Sequence, residues 1–231
     1  QDGWVPNWYL RECYSIQNAF KVNGVQCDIW GKRHSNFEQI PDFNSYDIIF
    51  CIENYETDWI PDFSIYKNPI KIQWVIDLHY QGYSAYSKIS NYCDIVLHST
   101  KCLIEKYSKI VKNKNHIWFP NGVDDRYFKP NNKEKNIDFG FVGSKNESRK
   151  DFIEKLEKEV GLYYKFVTGA DMINLVSSFK VHFNKNISTD INYRTFETIS
   201  LGTCLLTNYD PDLSILGFKD GHNCLIYNNY E

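Results

Sequence analysis

The sequence predicts an α/β protein with two lobes, each built on a parallel β-sheet that helices cover on both faces. Short apolar runs without strict polar alternation recur along the 231 residues, and such runs are typical of strands buried on both faces. Connections of helix length separate them, as parallel strands require. The polar segment 130–136 (PNNKEKN) predicts a linker. We therefore expect two domains, 1–130 and 131–231.

The first lobe begins with a predicted helix at 8–24, whose apolar residues recur at helical spacing and which ends at Gly24. Because the lobe starts on a helix, its usual opening strand is missing or precedes Gln1. The short apolar runs that follow predict five strands and one helix. The strands are 25–30 (VQCDIW), 46–53 (YDIIFCIE), 69–79 (PIKIQWVIDLH), 93–99 (CDIVLHS) and 116–120 (HIWFP), and the helix is 100–111.

The second lobe repeats the alternation of strands and helices. Strands are expected at 137–143, 162–169, 181–184, 204–208 and 224–227, and helices at 149–160, 171–179 and the start of 191–208 (INYRTFETISLGTCLLTN). The last strand is followed by only a few residues, and the chain starts with Gln1 instead of Met. We therefore expect a small chain that is incomplete at both ends and forms a domain of a longer polypeptide.

Composition excludes several classes of protein. The formal net charge is −3 with no basic block, which argues against a nucleic-acid partner. The seven cysteines are odd in number and contain no C-x-x-C pair, so we expect a reduced, cytoplasmic chain without disulfides or structural zinc. No apolar run approaches the roughly 20 residues of a transmembrane segment, and no signal peptide is visible.

Candidate site residues follow from the rule that ligands bind beyond the carboxyl ends of parallel strands. Glu53, Asp77 and His79 end strands of the first lobe, and Asp77 and His79 are equally compatible with a helix-capping carboxylate and a buried histidine. In the second lobe, Arg194 and Glu197 share one helix face. They could form an exposed ion pair worth about 0–1 kcal/mol. Alternatively, the carboxylate accepts ribose hydroxyls and the guanidinium meets a pyrophosphate, in a cleft between the lobes.

A family resemblance favours the second interpretation. The stretch 192–208 (NYRTFETISLGTCLLTN) resembles the signature of group-1-type glycosyltransferases with the GT-B fold of two Rossmann-like lobes, and the branch related to spore-maturation proteins is closest. Three more segments are similar to the family: 116–130 (HIWFPNGVDDRYFKP), 139–156 (FGFVGSKNESRKDFIEKL) and 221–229 (GHNCLIYNN). The resemblance covers roughly residues 90–231, whereas residues 1–90 agree only in architecture.

The resemblance implies that the second lobe binds a nucleotide-diphosphate-sugar. Glu197 would hold the ribose or the sugar, and the arginines and the glycine turn would meet the diphosphate. The implied donor-binding residues are Gly143, Ser144, Arg149, Lys185, Asn192, Arg194 and Glu197. No metal and no cofactor are expected, because arginine, lysine and a helix N-terminus would stabilise the leaving diphosphate. Thr189 stands where the family often has an acid, so recognition of the sugar by that acid is not implied here.

The implied activity is transfer of a hexosyl or deoxyhexosyl group to a hydroxyl of a glycan or glycoconjugate. Asp77 and His79 are the candidate catalytic residues, and Tyr80, Tyr83 and Glu53 the candidate acceptor-binding residues. An inverting reaction needs such a base, whereas a retaining one does not, and the sequence does not choose between them. A nucleotide-sugar epimerase or hydrolase on the same fold, or a non-catalytic glycan- or nucleotide-binding module, remains an alternative.

Overall fold

The computed structural model divides into two compact units, Gln1–Pro120 and Asn121–Glu231. The division falls before the predicted linker because Asn121 already belongs to the second unit, where its side-chain amide donates to the Ile191 carbonyl oxygen (3.0 Å). Phe119, by contrast, donates its backbone N–H to His98 of the first unit (2.8 Å). The structure describes residues 1, 3, 9–54, 56, 58–81, 83–112, 114–187 and 189–228, without the side chains of Tyr80 and Gln81.

The first unit contains a sheet of four parallel strands in the order β1-β2-β3-β4. Its strands are β1 Ile48–Ile52, β2 Ile70–Val75, β3 Ile95–His98 and β4 Asn115–Trp118. Its helices are α1 Glu12–Val22, α2 Leu78–Gln81, α3 Tyr83–Ser90 and α4 Ile104–Ser108. Four of the five strands expected from the sequence are therefore present. Strand β2 ends before His79, which lies on α2 instead.

The segment 25–30 is not a strand, so that prediction is wrong. Its residues and those of β1 are all described, and no backbone hydrogen bond joins the two. Side chains satisfy its carbonyl groups instead: Gln17 Nε2 donates to Cys27 O (2.7 Å) and Asn36 Nδ2 to Ile29 O (2.9 Å). An apolar run becomes a strand only where a neighbouring strand pairs with its backbone.

Two apolar clusters form the core of the first unit. One contains Phe43, Ile49, Cys51, Phe63, Ile89 and Cys93. The other contains Val75, Leu78, Tyr86, Val96, Tyr107 and Val111. Strands β1 and β2 therefore contribute buried residues to this core, as their continuous apolar sequences predict.

The second unit contains a sheet of five parallel strands in the order β6-β5-β7-β8-β9. Its strands are β5 Ile137–Val142, β6 Tyr163–Lys165, β7 Phe179–Phe183, β8 Cys204–Asn208 and β9 Leu225–Tyr227. Its helices are α5 Lys150–Val160, α6 Gly169–Ser177, α7 Tyr193–Ser200 and α8 Asp212–Ile215. All five predicted strands are present, and β5, β7 and β8 are neighbours at the centre of the sheet. Their carboxyl ends consequently lie side by side.

The second unit packs around aromatic side chains, among them Phe141, Phe179 and Phe183, which are fully buried. A Cβ atom at Gly140 would lie 2.4 Å from the ring of Phe179. Glycine is therefore required on β5 for this ring to pack. None of the helices in the described parts of the chain has the length and apolar character that a membrane crossing needs.

Candidate functional site

The candidate site lies at the carboxyl ends of β5 and β7 in the second unit. After β5 the chain turns at Gly143, whose φ of 143° favours glycine. After β7 a loop of residues 184–192 leads into α7, which begins after Asn192. The sequence predicted this arrangement, because it placed a turn after one strand and a helix after a loop at the end of the other.

Arg194 reaches from the first turn of α7 to the end of β5. Its Nε donates to the Val142 carbonyl oxygen (3.0 Å) and its Nη1 to Asn184 Oδ1 (3.0 Å). The guanidinium also lies 4.7 Å from the centre of the Phe141 ring. Its remaining nitrogen, Nη2, lies against Gly143, where a Cβ atom would come within 2.4 Å of it. Arg194 is therefore held at the glycine turn by these contacts. It is not simply one half of an exposed ion pair with Glu197, which was the alternative interpretation of the sequence.

Burial and, to a smaller extent, the charge of the neighbouring Arg149 lower the pKa of Arg194 to about 10, against the effect of Glu197, which raises it. Arg149 is itself buried and donates from Nε and Nη2 to the Lys185 carbonyl oxygen (3.2 and 3.1 Å). Two guanidinium groups are therefore held at one sheet edge, close enough to repel each other. An anion bound beside them would relieve this repulsion.

A chain of hydrogen bonds through His182 holds Arg194 in place. The Val142 N–H donates to His182 Nε2 (3.2 Å), and Nδ1 lies 2.8 Å from the Thr198 hydroxyl, which donates to the Arg194 carbonyl oxygen (2.6 Å). Only a neutral imidazole with its proton on Nδ1 satisfies all three bonds. Burial and the charge of Arg194 keep the pKa of His182 well below its ordinary value of 6.5, which favours this form.

A buried network of asparagine and threonine side chains supports the loop after β7. Asn184 is its centre: Oδ1 accepts from Arg194 Nη1 and from Asn192 Nδ2 (3.1 Å), and Nδ2 lies within 3.1 Å of three acceptors. Those acceptors are the side-chain oxygens of Asn186, Thr195 and Thr207. Asn184 is not among the donor-site residues predicted from the sequence. The run of polar residues directly after a buried strand was the available signal.

The other predicted donor-binding residues surround Arg194. Lys185 lies after β7, where its Nζ donates to the Ser148 carbonyl oxygen (2.8 Å), and Ser144 is exposed beside the glycine turn. The Oδ1 of Asn192 is buried, with no hydrogen bond from any described residue. Glu197 is half-buried on α7. The structure therefore brings the predicted donor-binding residues to one edge of one unit.

The first unit has an acidic cluster at the carboxyl ends of β1 and β2. Glu53 directly follows β1 and Asp77 lies two residues after the end of β2, both in left-handed conformations, with φ of 44° and 55°. Such conformations cost about 1 kcal/mol or more and are often kept at functional sites. Arg11 Nη2 lies 3.1 Å from Glu53 Oε2. Burial and then the charge of Glu12 raise the pKa of Glu53 to about 7, against the effect of Arg11.

The remaining predicted residues of the first unit do not all join this cluster. His79 lies on α2, and its Nδ1 is buried without a hydrogen bond to any residue that the structure describes. Tyr83 instead stacks on Tyr107 (centroids 5.8 Å apart), with Lys106 Nζ 4.7 Å from its ring centre. The side chain of Tyr80 lies outside the described part of the chain.

We expect His182 to make folding less favourable in acid. Its folded-state pKa lies below the ordinary value. As the pH falls below about 6.5, the unfolded chain therefore binds a proton at this residue that the folded chain does not, and the free energy of unfolding decreases. The His182→Gln variant, whose amide can replace both ring bonds without titrating, should lose this dependence, which amounts to at most about 1.4 kcal/mol per pH unit. Urea unfolding at pH 7.5 and 5.5 measures the difference.

Other groups also titrate in this pH range. The difference in pH dependence between the His182→Gln variant and the unmodified protein is therefore what measures the contribution of His182. The pKa of His98 is lowered to about 3 by burial and by His116, and both variants share that contribution. The raised pKa of Glu53 acts in the opposite direction between pH 4.5 and 7 and is also shared. An equal pH dependence in the two proteins would contradict the neutral, buried His182.

Known proteins resemble the chain in two ways. Residues 126–231 match the family model described as glycosyl transferase-like. Sucrose-phosphate synthase from Thermosynechococcus elongatus is 12% identical, with a TM-score of 0.54 over 85% of this chain and 66% of its own. HepE from Anabaena, solved with UDP and glucose, is 10% identical, with a TM-score of 0.56 over 92% of this chain and 75% of its own.

A third structure, TarM, is 12% identical, with a TM-score of 0.57 over 84% of this chain and 47% of its own. The chain thus spans just under two thirds of the synthase chain and about half of TarM. No curated protein sequence is similar enough to the chain to be matched. At these identities the solved structures show the fold. Residues 126–231 are thus similar to a glycosyl transferase-like family, and the chain as a whole has the GT-B type of α/β fold, with two parallel sheets, that these solved structures share.

Proposed function

We propose that the chain transfers a sugar from a nucleotide-diphosphate-sugar to a hydroxyl of a glycan or glycoconjugate, with the donor bound by the second unit. The observation that carries this proposal is the pair of neighbouring guanidinium groups, Arg149 and Arg194, at the glycine turn after β5. Neighbouring fixed cations at the carboxyl edge of a parallel sheet favour a ligand with several negative charges. A diphosphate is such a ligand.

The proposed donor site uses the residues around these arginines. Because Gly143 has no side chain, the diphosphate could approach the backbone there. A side chain at this position would also displace Arg194. Ser144, Lys185 and Asn192 would supply further donors to phosphate oxygens, and Glu197 would accept hydroxyl groups of the ribose or the sugar. HepE is a GT-B structure solved with UDP and with UDP-glucose, which supports a nucleotide-sugar as the donor here.

The proposed chemical role of the second unit is to stabilise the leaving nucleoside diphosphate. Breaking the bond between sugar and phosphate leaves negative charge on the diphosphate, and fixed cations stabilise that charge as it develops. The guanidinium of Arg194 needs no rearrangement, because Val142, Asn184 and Phe141 already hold it. We accordingly propose that transfer needs no metal and no cofactor.

The proposed acceptor site belongs to the first unit. Asp77 and His79 are the candidate bases for an inverting transfer, and Glu53 lies on the neighbouring strand end. A carboxyl group whose pKa is raised to about 7 can take up a proton near neutral pH. Tyr80 and Tyr83 stay candidates for acceptor binding, although Tyr83 packs on Tyr107. The transferred group is proposed to be a hexosyl or deoxyhexosyl group.

The proposed setting is a reducing one such as the cytoplasm. None of the seven cysteines forms a disulfide in the structure, and four of them are buried. Burial raises the pKa of the Cys13 thiol to about 11 and keeps it protonated. Buried free thiols of this kind behave as small apolar residues, which supports a chain that folds without disulfides.

We expect nucleoside diphosphates to stabilise the folded protein, because a ligand that binds only the folded state adds stability by mass action. Thermal melts with uridine, guanosine, thymidine and adenosine diphosphates, each with and without a chelator, test this. At about 100 times its dissociation constant, a ligand adds about 2.7 kcal/mol. Failure of all four at millimolar concentration would contradict the donor site, and a shift that disappears with the chelator would contradict the metal-free proposal.

We expect substitutions in the two units to affect different steps. Glu197→Gln should weaken donor binding, whereas Asp77→Asn should lower turnover with little change in donor affinity, because these residues are proposed to hold different substrates. Calorimetry with the nucleotide-sugar and initial rates with a glycan acceptor separate the two effects. Turnover of the nucleotide-sugar without any acceptor would indicate a hydrolase or epimerase, and binding without turnover would indicate a non-catalytic module.

A further inference from the structure

The helices on one face of the first sheet carry an excess of lysine. Helices α3 and α4 cover the same face, because residues of both join Val75 and Val96 in one core cluster. Between residues 78 and 120 the sequence has six lysines and two acidic residues, although the formal net charge of the whole chain is −3. A surface with an excess of one sign of charge attracts ligands of the opposite sign. This side of the first unit therefore favours an anionic partner.

Two of these lysines are held over aromatic rings. Lys101 Nζ lies 5.1 Å from the centre of the Trp118 ring, and Lys106 Nζ lies 4.7 Å from the centre of the Tyr83 ring. Such contacts attract a cation to the ring and restrict a side chain that is otherwise flexible. An ammonium group that is already positioned loses less freedom when it binds an anion. Both lysines are exposed, so a ligand can reach them.

The lysines continue along α4 and the turn that follows it. Lys109 comes three residues after Lys106, and Lys112 three residues after Lys109, and all three are exposed. Residues three apart on a helix are neighbours on one face. Glu105 pairs with Lys109 (2.8 Å between Oε1 and Nζ), and it is the one acidic residue between positions 101 and 114. Lys101, Lys106, Lys109 and Lys112, which we call the lysine row, therefore keep a net positive charge.

The lysine row begins at the sheet edge that carries the candidate acceptor residues. Strands β2 and β3 are parallel neighbours, with Val75 beside His98 at their carboxyl ends. Asp77 lies two residues after the end of β2, and Lys101 lies three residues after the end of β3. Ligands of parallel sheets bind beyond this edge. One acceptor molecule can therefore place a hydroxyl at Asp77 and an anionic group on the lysine row.

We propose that the acceptor is an anionic glycan, one that carries carboxylate or phosphate groups, and that the lysine row binds these groups. This inference rests on the proposed transferase function and adds the chemical class of its acceptor. The positive surface draws the glycan to the first unit, and contacts with the positioned ammonium groups select its charged sugars over neutral ones.

A glycan fits the lysine row better than a membrane surface does. A helix that lies on a bilayer presents an apolar face beside its lysines and inserts that face between the lipids. In α4 and the turn after it, the apolar side chains of Tyr107 and Val111 are fully buried in the core of the first unit. The row therefore offers charge without the apolar face that a membrane-bound helix needs.

The test uses a galacturonate oligosaccharide and its methyl ester, which has the same sugars without the charges. Calorimetry without any nucleotide-sugar measures how the protein binds each of them. The charged form should bind at least about tenfold more tightly than the ester, since exposed ion pairs contribute modestly and several act together. The difference should shrink when the salt concentration is raised from about 0.05 to 0.5 M, because salt screens exposed charges.

Two triple variants of equal charge locate the binding site. The variant Lys101→Gln/Lys106→Gln/Lys109→Gln should lose the preference for the charged form. Its control, Lys21→Gln/Lys32→Gln/Lys67→Gln, removes the same charge from other parts of the first unit and should keep the preference. Thermal melts of both variants check that they are folded. An equal loss in the two variants would overturn the proposal, because the net charge and not the lysine row would then be responsible.

Two further results would overturn the proposal. One is equal affinity for the galacturonate oligosaccharide and its ester. The other is binding to vesicles that contain phosphatidylglycerol without binding to the oligosaccharide, which would indicate a membrane surface. Either result leaves the donor site intact if nucleoside diphosphates still raise the melting temperature. Conversely, a protein that binds the charged oligosaccharide through the lysine row but does not turn over a nucleotide-sugar would support the row and contradict the proposed transferase.

Discussion

Replacing Arg194 by lysine is expected to lower kcat/KM for the donor about 100-fold or more, the usual cost of removing one donor that stabilises developing charge. Lysine keeps the positive charge but has one nitrogen, whereas the guanidinium bonds to Val142 O and Asn184 Oδ1 and still presents Nη2 at Gly143. A lysine cannot satisfy these partners and a phosphate together. Initial rates and melts with a nucleoside diphosphate measure the loss.

Arg126→Lys is the matched control in the same unit. Arg126 pairs with Asp124 and lies over the ring of Tyr127, and neither partner is one of the proposed donor-site residues. This control should transfer sugar at the rate of the unmodified protein. A folded Arg194→Lys protein with unchanged donor affinity would mean that Arg194 only supports the loop, and the proposed diphosphate site would be wrong.

Replacing Asn184 by leucine is expected to destabilise the second unit by about 3–5 kcal/mol. Asn184 is fully buried, and leucine has a similar size but no polar atoms. The change would remove one hydrogen-bond partner from each of the Thr195 and Thr207 hydroxyls, the Asn192 amide and one nitrogen of Arg194. Buried polar groups without partners cost more than the hydrogen bond itself contributes. Urea unfolding followed by far-UV circular dichroism measures the change.

Asn223→Ala is the control that shows whether the expected loss of stability at Asn184 comes from its burial or only from its number of hydrogen bonds. Asn223 also makes two side-chain hydrogen bonds, with the Lys219 N–H and the Gly217 carbonyl oxygen, but it is exposed. Water replaces these bonds when the side chain is removed, so about 1 kcal/mol or less should be lost. If Asn184→Leu cost no more than Asn223→Ala, the network would not be what holds the loop.

The strands of the second unit could be predicted because their pattern is local. Residues 137–142 and 204–208 form apolar runs, and a buried parallel strand needs little more than such a run between turns. The glycine turn at 143 and the placement of α7, which carries Arg194, after the end of a strand followed from the same order of elements. The family resemblance of residues 90–231 then indicated the chemistry of a donor site. The spore-maturation branch, the acceptor and the absence of a metal stay predictions.

The sequence alone could not predict which groups meet across the chain. His182 and Thr198 each look like an ordinary apolar-face or helix residue, and only the neighbouring positions of β5, β7 and α7 join them to Arg194. The neutral form of His182 likewise depends on its burial. Tyr83 looked suited to sugar binding, yet the packing of α3 against Tyr107 determines its place.

The sequence by itself determined the α/β class, two units of parallel strands, and the glycine turn and α7 at which the candidate donor residues lie, because strand burial and helix periodicity are properties of short segments. Tertiary structure decided whether the segment 25–30 is a strand and which partners Arg194 has. Both depend on atoms far away in the chain: a strand needs a neighbour for its backbone, and a buried charge needs partners within hydrogen-bond distance.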